Sequence, residues 1–95
     1  MNDLPTNFDV RDQWPNCIHP ILSQGKCGGC WAFGTTEVLS DRLCIASNGE
    51  IDVRLSPQYL ISCDYSNFGC DGGIPTFAWE TLESKGAVTG GCYPY

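Results

Sequence analysis

A small, helix-rich domain or lobe held together by disulfides is what the sequence predicts, and three observations carry that expectation. Seven cysteines fall within 95 residues, a density that supplies the staples a core of this size needs. From Cys30 to about Ser47, apolar residues recur at three- and four-residue steps, the period of a helix facing a core. Shorter helices open at Pro57 and Pro75, since proline suits the first helical position.

The cysteine density also points to an oxidising compartment: secreted, vesicular or lysosomal. Seven is odd, so at least one thiol lacks a partner within the chain. A net charge of −6 and a pI near 4.3 argue against nucleic acid or an anionic membrane as partner. No apolar run reaches the roughly 18 residues of a membrane span. Met1-Asn2-Asp3-Leu4-Pro5 lacks the basic and apolar regions of a secretory signal. That reads as a mature or truncated product with Met1 as an artificial start.

Taken in order, residues 1–26 read as an irregular arm draped on the surface and tied down at Cys17. Leu4-Pro5, Trp14-Pro15 and His19-Pro20 keep it extended, and Phe8, Val10 and Trp14 are its apolar anchors. The central helix then spans 30–47, with Trp31, Ala32, Val38, Leu39, Leu43, Ile45 and Ala46 on one stripe. Asn48-Gly49 stops it. Glu37 and Asp41 read as solvent-facing acids. Ser56 caps a second helix that begins at Pro57 and runs to Cys63. Cys63 to Cys70 bounds a polar loop. Asp71-Gly72-Gly73 is a turn, or a backbone left bare so that something can approach. A third helix runs from Pro75 to about Ser84, with Ile74, Phe77, Ala78 and Leu82 on one side and Gly86 as its cap. Ala87 to Thr89 supplies the one strand-like stretch, and 90–95 is loop.

Chemistry concentrates at Cys27-Gly28-Gly29-Cys30, where an apolar helix begins immediately. Helix N-termini present free N–H groups and a favourable dipole to an anion, which is the setting that favours a thiolate. Four readings compete. Zinc would need a second cysteine pair at ligand spacing or further histidines, and the only histidine is His19, so no metal is expected. A redox pair of the thioredoxin type wants a buried strand just before it, which Pro20 to Gly25 does not provide. A pure disulfide scaffold accounts for six cysteines but not the seventh. The fourth reading is a nucleophilic cysteine.

Gln24-Gly25-x-Cys27-Gly28-x-Cys30-Trp31-Ala32-Phe33, with Cys70-Asp71-Gly72-Gly73 forty residues on, resembles the papain-like cysteine peptidases. Leu4-Pro5-x-x-Phe8-Asp9-x-Arg11-x-x-Trp14-Pro15-x-Cys17 and Ser40-Asp41-Arg42-Leu43-Cys44 look like the cathepsin B branch, so the likeness runs from Leu4 to Tyr95. It implies an α+β fold of which this chain is the helix-rich N-terminal lobe, with the β-rich lobe absent. It also implies roles. Cys30 is the nucleophile, and Gln24 joins the Cys30 backbone N–H in an oxyanion hole. Trp31 packs beside the site. Gly72 and Gly73 hydrogen-bond extended substrate, and Ile74 and Pro75 border the main specificity pocket. Cys27 bridges to Cys70 and Cys17 to Cys44. Cys63 and Cys92 pair with each other or with partners further along a longer chain.

Gly29 departs mildly from the family, which usually carries a small side chain there. The absence of the catalytic histidine and asparagine is the severe departure, since the family places them about 130–150 residues beyond the nucleophile. His19 precedes the motif and matches no catalytic position. The resemblance thus implies a peptidase acting through an acyl-thioenzyme, here as an incomplete chain that is inactive alone. It requires no cofactor. Expected partners are peptide or protein substrates, a missing lobe or second chain, and propeptide or cystatin-like inhibitors. The expected location is lysosomal, vacuolar or secreted. The alternative from another class is a non-catalytic binding or decoy module built on the same half-cleft.

Overall fold

The computed structural model describes residues 4–95, so Met1 and the reading of it as an artificial start lie outside the described residues. Four helices follow in chain order: α1 Val10–Gln13, α2 Cys30–Ala46, α3 Pro57–Cys63 and α4 Pro75–Lys85. The three longer ones begin and end where local chemistry dictates. Ser56 Oγ accepts from Tyr59 N at 3.0 Å to cap α3, with Pro57 as its first residue. At the end of α2, Asn48 and Gly49 adopt positive φ (58° and 84°), and Gly86 does the same after α4 (φ 77°).

α2 lies at the centre, with α3 and α4 packed against it. Trp31 and Ala32 of α2, Leu60 of α3, and Ala78 and Leu82 of α4 form the core, flanked by Leu39, Ile61, Trp79 and Ala87. The buried face of α2 differs from the apolar stripe expected from its periodicity. Thr35, Thr36 and Ser40 are buried on it, while Val38 (41 % exposed) and Ala46 face solvent. The buried hydroxyls return their hydrogens to the helix: Thr35 Oγ1 to Trp31 O at 2.8 Å, Thr36 Oγ1 to Ala32 O at 2.8 Å, Ser40 Oγ to Thr36 O at 2.6 Å. Satisfied in this way, small polar residues enter a core at little cost. On α4, Ile74 and Phe77 are likewise exposed rather than buried beside Ala78 and Leu82.

Regular strands are absent among the described residues. Two isolated bridges tie loops together, Gly28 with Asp71 in parallel and Leu55 with Thr89 antiparallel. The expected strand-like stretch at Ala87 to Thr89 therefore amounts to one ladder contact, with Ser56 N on Val88 O (2.8 Å) and Gly90 N on Arg54 O (2.7 Å).

The arm is less irregular than expected, because α1 interrupts it. Asp9 caps that turn by accepting from Arg11 N and binding the Arg11 guanidinium, a contact that holds its carboxyl down at about 2. Phe8 is exposed rather than an anchor, leaning edge-on against Trp14. Downstream, the arm runs antiparallel to α2. His19 meets Asp41 and Leu22 N donates to Glu37 Oε1 at 3.1 Å, so the two helix acids expected to face solvent instead fasten the arm.

Two disulfides form, Cys17–Cys44 between arm and α2, and Cys27–Cys70 between the glycine-rich turn and the loop after α3. Cys30, Cys63 and Cys92 are thiols. A Cys63–Cys92 bridge, one of the two pairings expected for those residues, is therefore not made.

Candidate active site

Cys30 is the first residue of α2, its thiol exposed at the helix N-terminus, where the first backbone N–H groups have no acceptor within the helix. Gly29 holds the cap position and contributes no side-chain bond. Both glycines before Cys30 are explained by crowding. A Cβ on Gly28 would sit 2.5 Å from the Cys70 carbonyl oxygen, the same oxygen that accepts from Gly28 N at 2.8 Å. A Cβ on Gly29 would meet Ile61 Cδ1 at 2.7 Å and Cys27 Sγ at 3.3 Å. The small side chain expected at position 29 is thus displaced by Ile61 of α3.

An open groove of about 260 Å³ runs from the thiol along the helix. Cys30, Gly34 and Val38 line one wall at successive four-residue steps; Pro75 and Trp79 of α4 form the other, with Trp31 and Thr35 at its base. Trp31 is nearly buried (2 % exposed), and its Nε1 donates to Gly69 O at 2.9 Å. Its ring lies so close under Gly73 that a Cβ there would come within 2.7 Å of it. Gly72 adopts φ 112°, which side-chain-bearing residues rarely occupy.

The segment carrying these glycines is fixed by a network that the sequence did not reveal. Asp64, buried at the end of α3, accepts from Ser66, from Asn67 Nδ2 at 2.7 Å and from Thr81 Oγ1 of α4 at 2.8 Å. Asn67 Oδ1 in turn accepts from Ile74 N at 2.6 Å. Burial pushes the Asp64 carboxyl up, but the bonds from Ser66, Asn67 and Thr81 together hold it below its ordinary value of 3.8. Read alone, Asp64-Tyr65-Ser66-Asn67 looks like a polar loop. An acid directly after a helix C-terminus, followed at two and three residues by Ser and Asn, was the available signal.

Gln24 is half-buried, and its Nε2 donates to Cys27 O at 2.9 Å; the Tyr95 hydroxyl donates to its backbone oxygen. Tyr95 also packs edge-on against Phe33, with ring centroids 4.7 Å apart. Trp31, Pro75 and Cys30 thus share one groove, and Gly73 borders Trp31. Gly72 and Ile74 flank that glycine without lining the groove, and Gln24 abuts the turn leading into Cys30. His19 stands apart, with Nδ1 2.6 Å from Asp41 Oδ1 and Nε2 2.7 Å from Asp52 Oδ1. No other histidine occurs in the sequence.

A model of the papain family of cysteine proteases matches residues 4–95. The chain belongs to that family. It is 50 % identical to cathepsin B-like cysteine proteinase 6 of Caenorhabditis elegans, the match covering 98 % of this chain and 27 % of the relative. It is 40 % identical to cathepsin B-like CP2 of Giardia intestinalis, over 99 % of this chain and 31 % of the relative. Among solved structures, procathepsin B S9 from Trypanosoma congolense superposes with a TM-score of 0.90 at 39 % identity, over 99 % of this chain and 33 % of that one. A Carica candamarcensis cysteine protease solved in complex with E-64 gives 0.86 at 32 % identity, over 97 % and 41 %. Helix-rich, nearly strandless and joined by two disulfides, the chain matches part of the papain-like fold and spans less than a third of both cathepsin B-like relatives.

Proposed function

We propose that this chain is the nucleophile-bearing, helix-rich lobe of a cathepsin B-like cysteine peptidase. One observation carries the reading: an exposed thiol at the N-terminus of the central helix, one residue past a glycine turn pinned by a separate disulfide. The Cys30 thiolate attacks the scissile carbonyl, the C–N bond breaks, and the amine leaves with the proton returned by the base. Water then hydrolyses the acyl-thioenzyme to the acid and the free thiol. The Cys30 backbone N–H and the Gln24 amide stabilise the developing oxyanion. The amide nitrogen carries two hydrogens; one rests on Cys27 O and the other is the donor offered. Loss of such a donor typically costs about a hundred- to thousandfold in rate.

Trp31 floors the site while Gly72 and Gly73 present bare backbone to extended substrate. Ile74 and Pro75 form an apolar pocket wall, which suits an apolar substrate side chain. The base that takes the thiol proton comes from outside these residues, since His19 is committed to two carboxylates. A complementary β-rich lobe or second chain supplies it. Partners are peptide and protein substrates and a propeptide or cystatin-like inhibitor. The procathepsin B neighbour is a proform, which supports the propeptide. We assign a lysosomal, vacuolar or secreted location; no helix among the described residues is long and apolar enough to cross a membrane.

The test is a fluorogenic dipeptide assay of the purified chain, with and without the rest of its reading frame. Near-zero turnover alone and Cys30-dependent turnover in the extended protein are expected. Robust hydrolysis by the 95-residue chain, or activity of the extended protein that survives Cys30→Ala, would overturn the assignment.

A further inference from the structure

We infer that His19 is a pH-gated positioning residue, a clasp that holds the Gln24-bearing arm against α2 when protonated and releases it when neutral. The inference rests on the proposed role of Gln24 only for its catalytic meaning. The clasp itself stands on geometry. Both ring nitrogens of His19 meet carboxylates, Nδ1 at 2.6 Å from Asp41 Oδ1 and Nε2 at 2.7 Å from Asp52 Oδ1. An ionised carboxylate only accepts, and a neutral imidazole has one N–H. In the neutral form, therefore, a nitrogen lone pair faces an anion at one end. Only the imidazolium satisfies both contacts, and with its side chain 16 % exposed the ring has little water to offset the mismatch.

Three segments meet in this contact. Asp41 belongs to α2, Asp52 to the loop that follows it, and His19 to the arm, whose backbone N also reaches Asp41 Oδ1 at 3.4 Å. Further along the arm, Leu22 N is held by Glu37 Oε1, one helical turn from Asp41. Pro20 O accepts from Arg54 Nη2 at 2.6 Å. Apolar burial does not substitute for these bonds, because Ile21 is 95 % exposed and Leu22 is exposed as well. Between Cys17 and Gln24 the arm is thus fastened mainly by polar contacts, and the doubly paired histidine is the one among them whose ordinary, unperturbed titration lies near neutrality.

The charged groups around His19 are Asp41 and Glu37 on α2, Asp52 and Arg54 on the following loop, and Arg11 of α1. Arg11 shares an outer groove with His19 and is itself paired with Asp9. Their balance is anionic at the ring. The hydrogen bond to Asp41, foremost, and then Asp52 raise the imidazole above its ordinary 6.5 against the opposing effect of burial. A raised folded-state value fixes the sign: the clasp contributes fully below 6.5 and is lost as pH rises through the higher folded value. The arm is ordered in acid and loosened above it, so Gln24 is best placed in an acidic lumen.

Proton NMR on the wild-type chain tests this directly, because the single histidine leaves its imidazole signals unambiguous. The expected midpoint lies above 6.5, and the Leu22 and Gln24 amides shift with the same midpoint. Leu22 amide protection should drop about tenfold for each pH unit by which that midpoint exceeds the ordinary value. A midpoint at or below 6.5, or arm amides that do not follow it, overturns the clasp. Thermal unfolding between about pH 5.5 and 8.5 adds a second readout. The wild type should lose Tm as pH rises. His19→Arg, permanently charged, should keep a high and level Tm, and His19→Gln should be low and level. Persistence of the wild-type slope in either variant overturns the assignment. None of these measurements depends on hydrolysis, so a failure of the clasp and a failure of the peptidase reading are told apart.

Discussion

Gly73 shows how a single missing side chain shapes the site. Its absent Cβ leaves room for two neighbours at once, the Trp31 ring and Asn67 Oδ1, each 2.7 Å from where that carbon would lie. Trp31 cannot retreat, being buried in the core and bonded to Gly69 O, and Asn67 is held between Asp64 and Ile74 N. Gly73→Ala should therefore destabilise the chain by about 1–3 kcal/mol, the usual cost of overpacking, read as a lower urea midpoint at an unchanged slope. Unaltered stability would show that the glycine serves only substrate access. Two explanations for Asp71-Gly72-Gly73, a turn or a bare backbone, stay open from the residues alone. The sequence could not show the crowding, because the indole that causes it lies some forty residues earlier.

Among the elements, α3 and α4 are joined by the buried Asp64, which accepts from the loop between them and from Thr81. Its carboxyl is held below 3.8, so the network's contribution is present above that value and disappears as pH falls through the lower folded one. Asp64→Ala should cost about 3 kcal/mol near pH 6, since it strands buried donors on Asn67 and Thr81. In chemical denaturation the gap between variant and wild type should close as pH falls below 3.8; a pH-independent gap would count against the network. The helices themselves were legible: Ser56-Pro57, Asn48-Gly49 and Gly86 mark their ends as local chemistry requires. The four residues of α1 were not, because so short a turn has no apolar period to detect. Nor was the buried hydroxyl face of α2, since periodicity counts Thr and Ser as polar and cannot see them satisfied on their own helix. Glu37 and Asp41 were misread for a related reason: nothing local shows that the arm lies along that face.

For the whole molecule, two covalent ties bracket a small core. In the chain-entropy view, loops of 27 and 43 residues restrict the unfolded chain by roughly 3.5 and 4 kcal/mol. That is a large share of the stability of a domain this size. Replacing Cys17 and Cys44 together by alanine should lower Tm substantially or unfold the chain, as circular dichroism would show. Thiol titration of the native protein should count three reactive groups, two fast and one slower, because Cys30 and Cys92 are exposed and Cys63 is half-buried. A count of one would mean that Cys63 and Cys92 had joined. The Cys30 reading and the two observed pairings followed from a motif; what Cys63 and Cys92 do depends on distances that no motif in this chain encodes.

The exposure of Cys30 has an evolutionary consequence. Its thiol is exposed and lies outside the core, whereas Gly28 and Gly73 are locked in by backbone and indole. On the proposed role of Cys30, selection for folding and selection for reactivity act largely on different positions. With Cys30 as the nucleophile proposed above, a lineage could replace that thiol and keep the same shape, surviving as a silent copy that no change in stability would betray. Intolerance at the glycines would report that the chain still folds, and on the proposed reading a cysteine at residue 30 would be one condition for it to react.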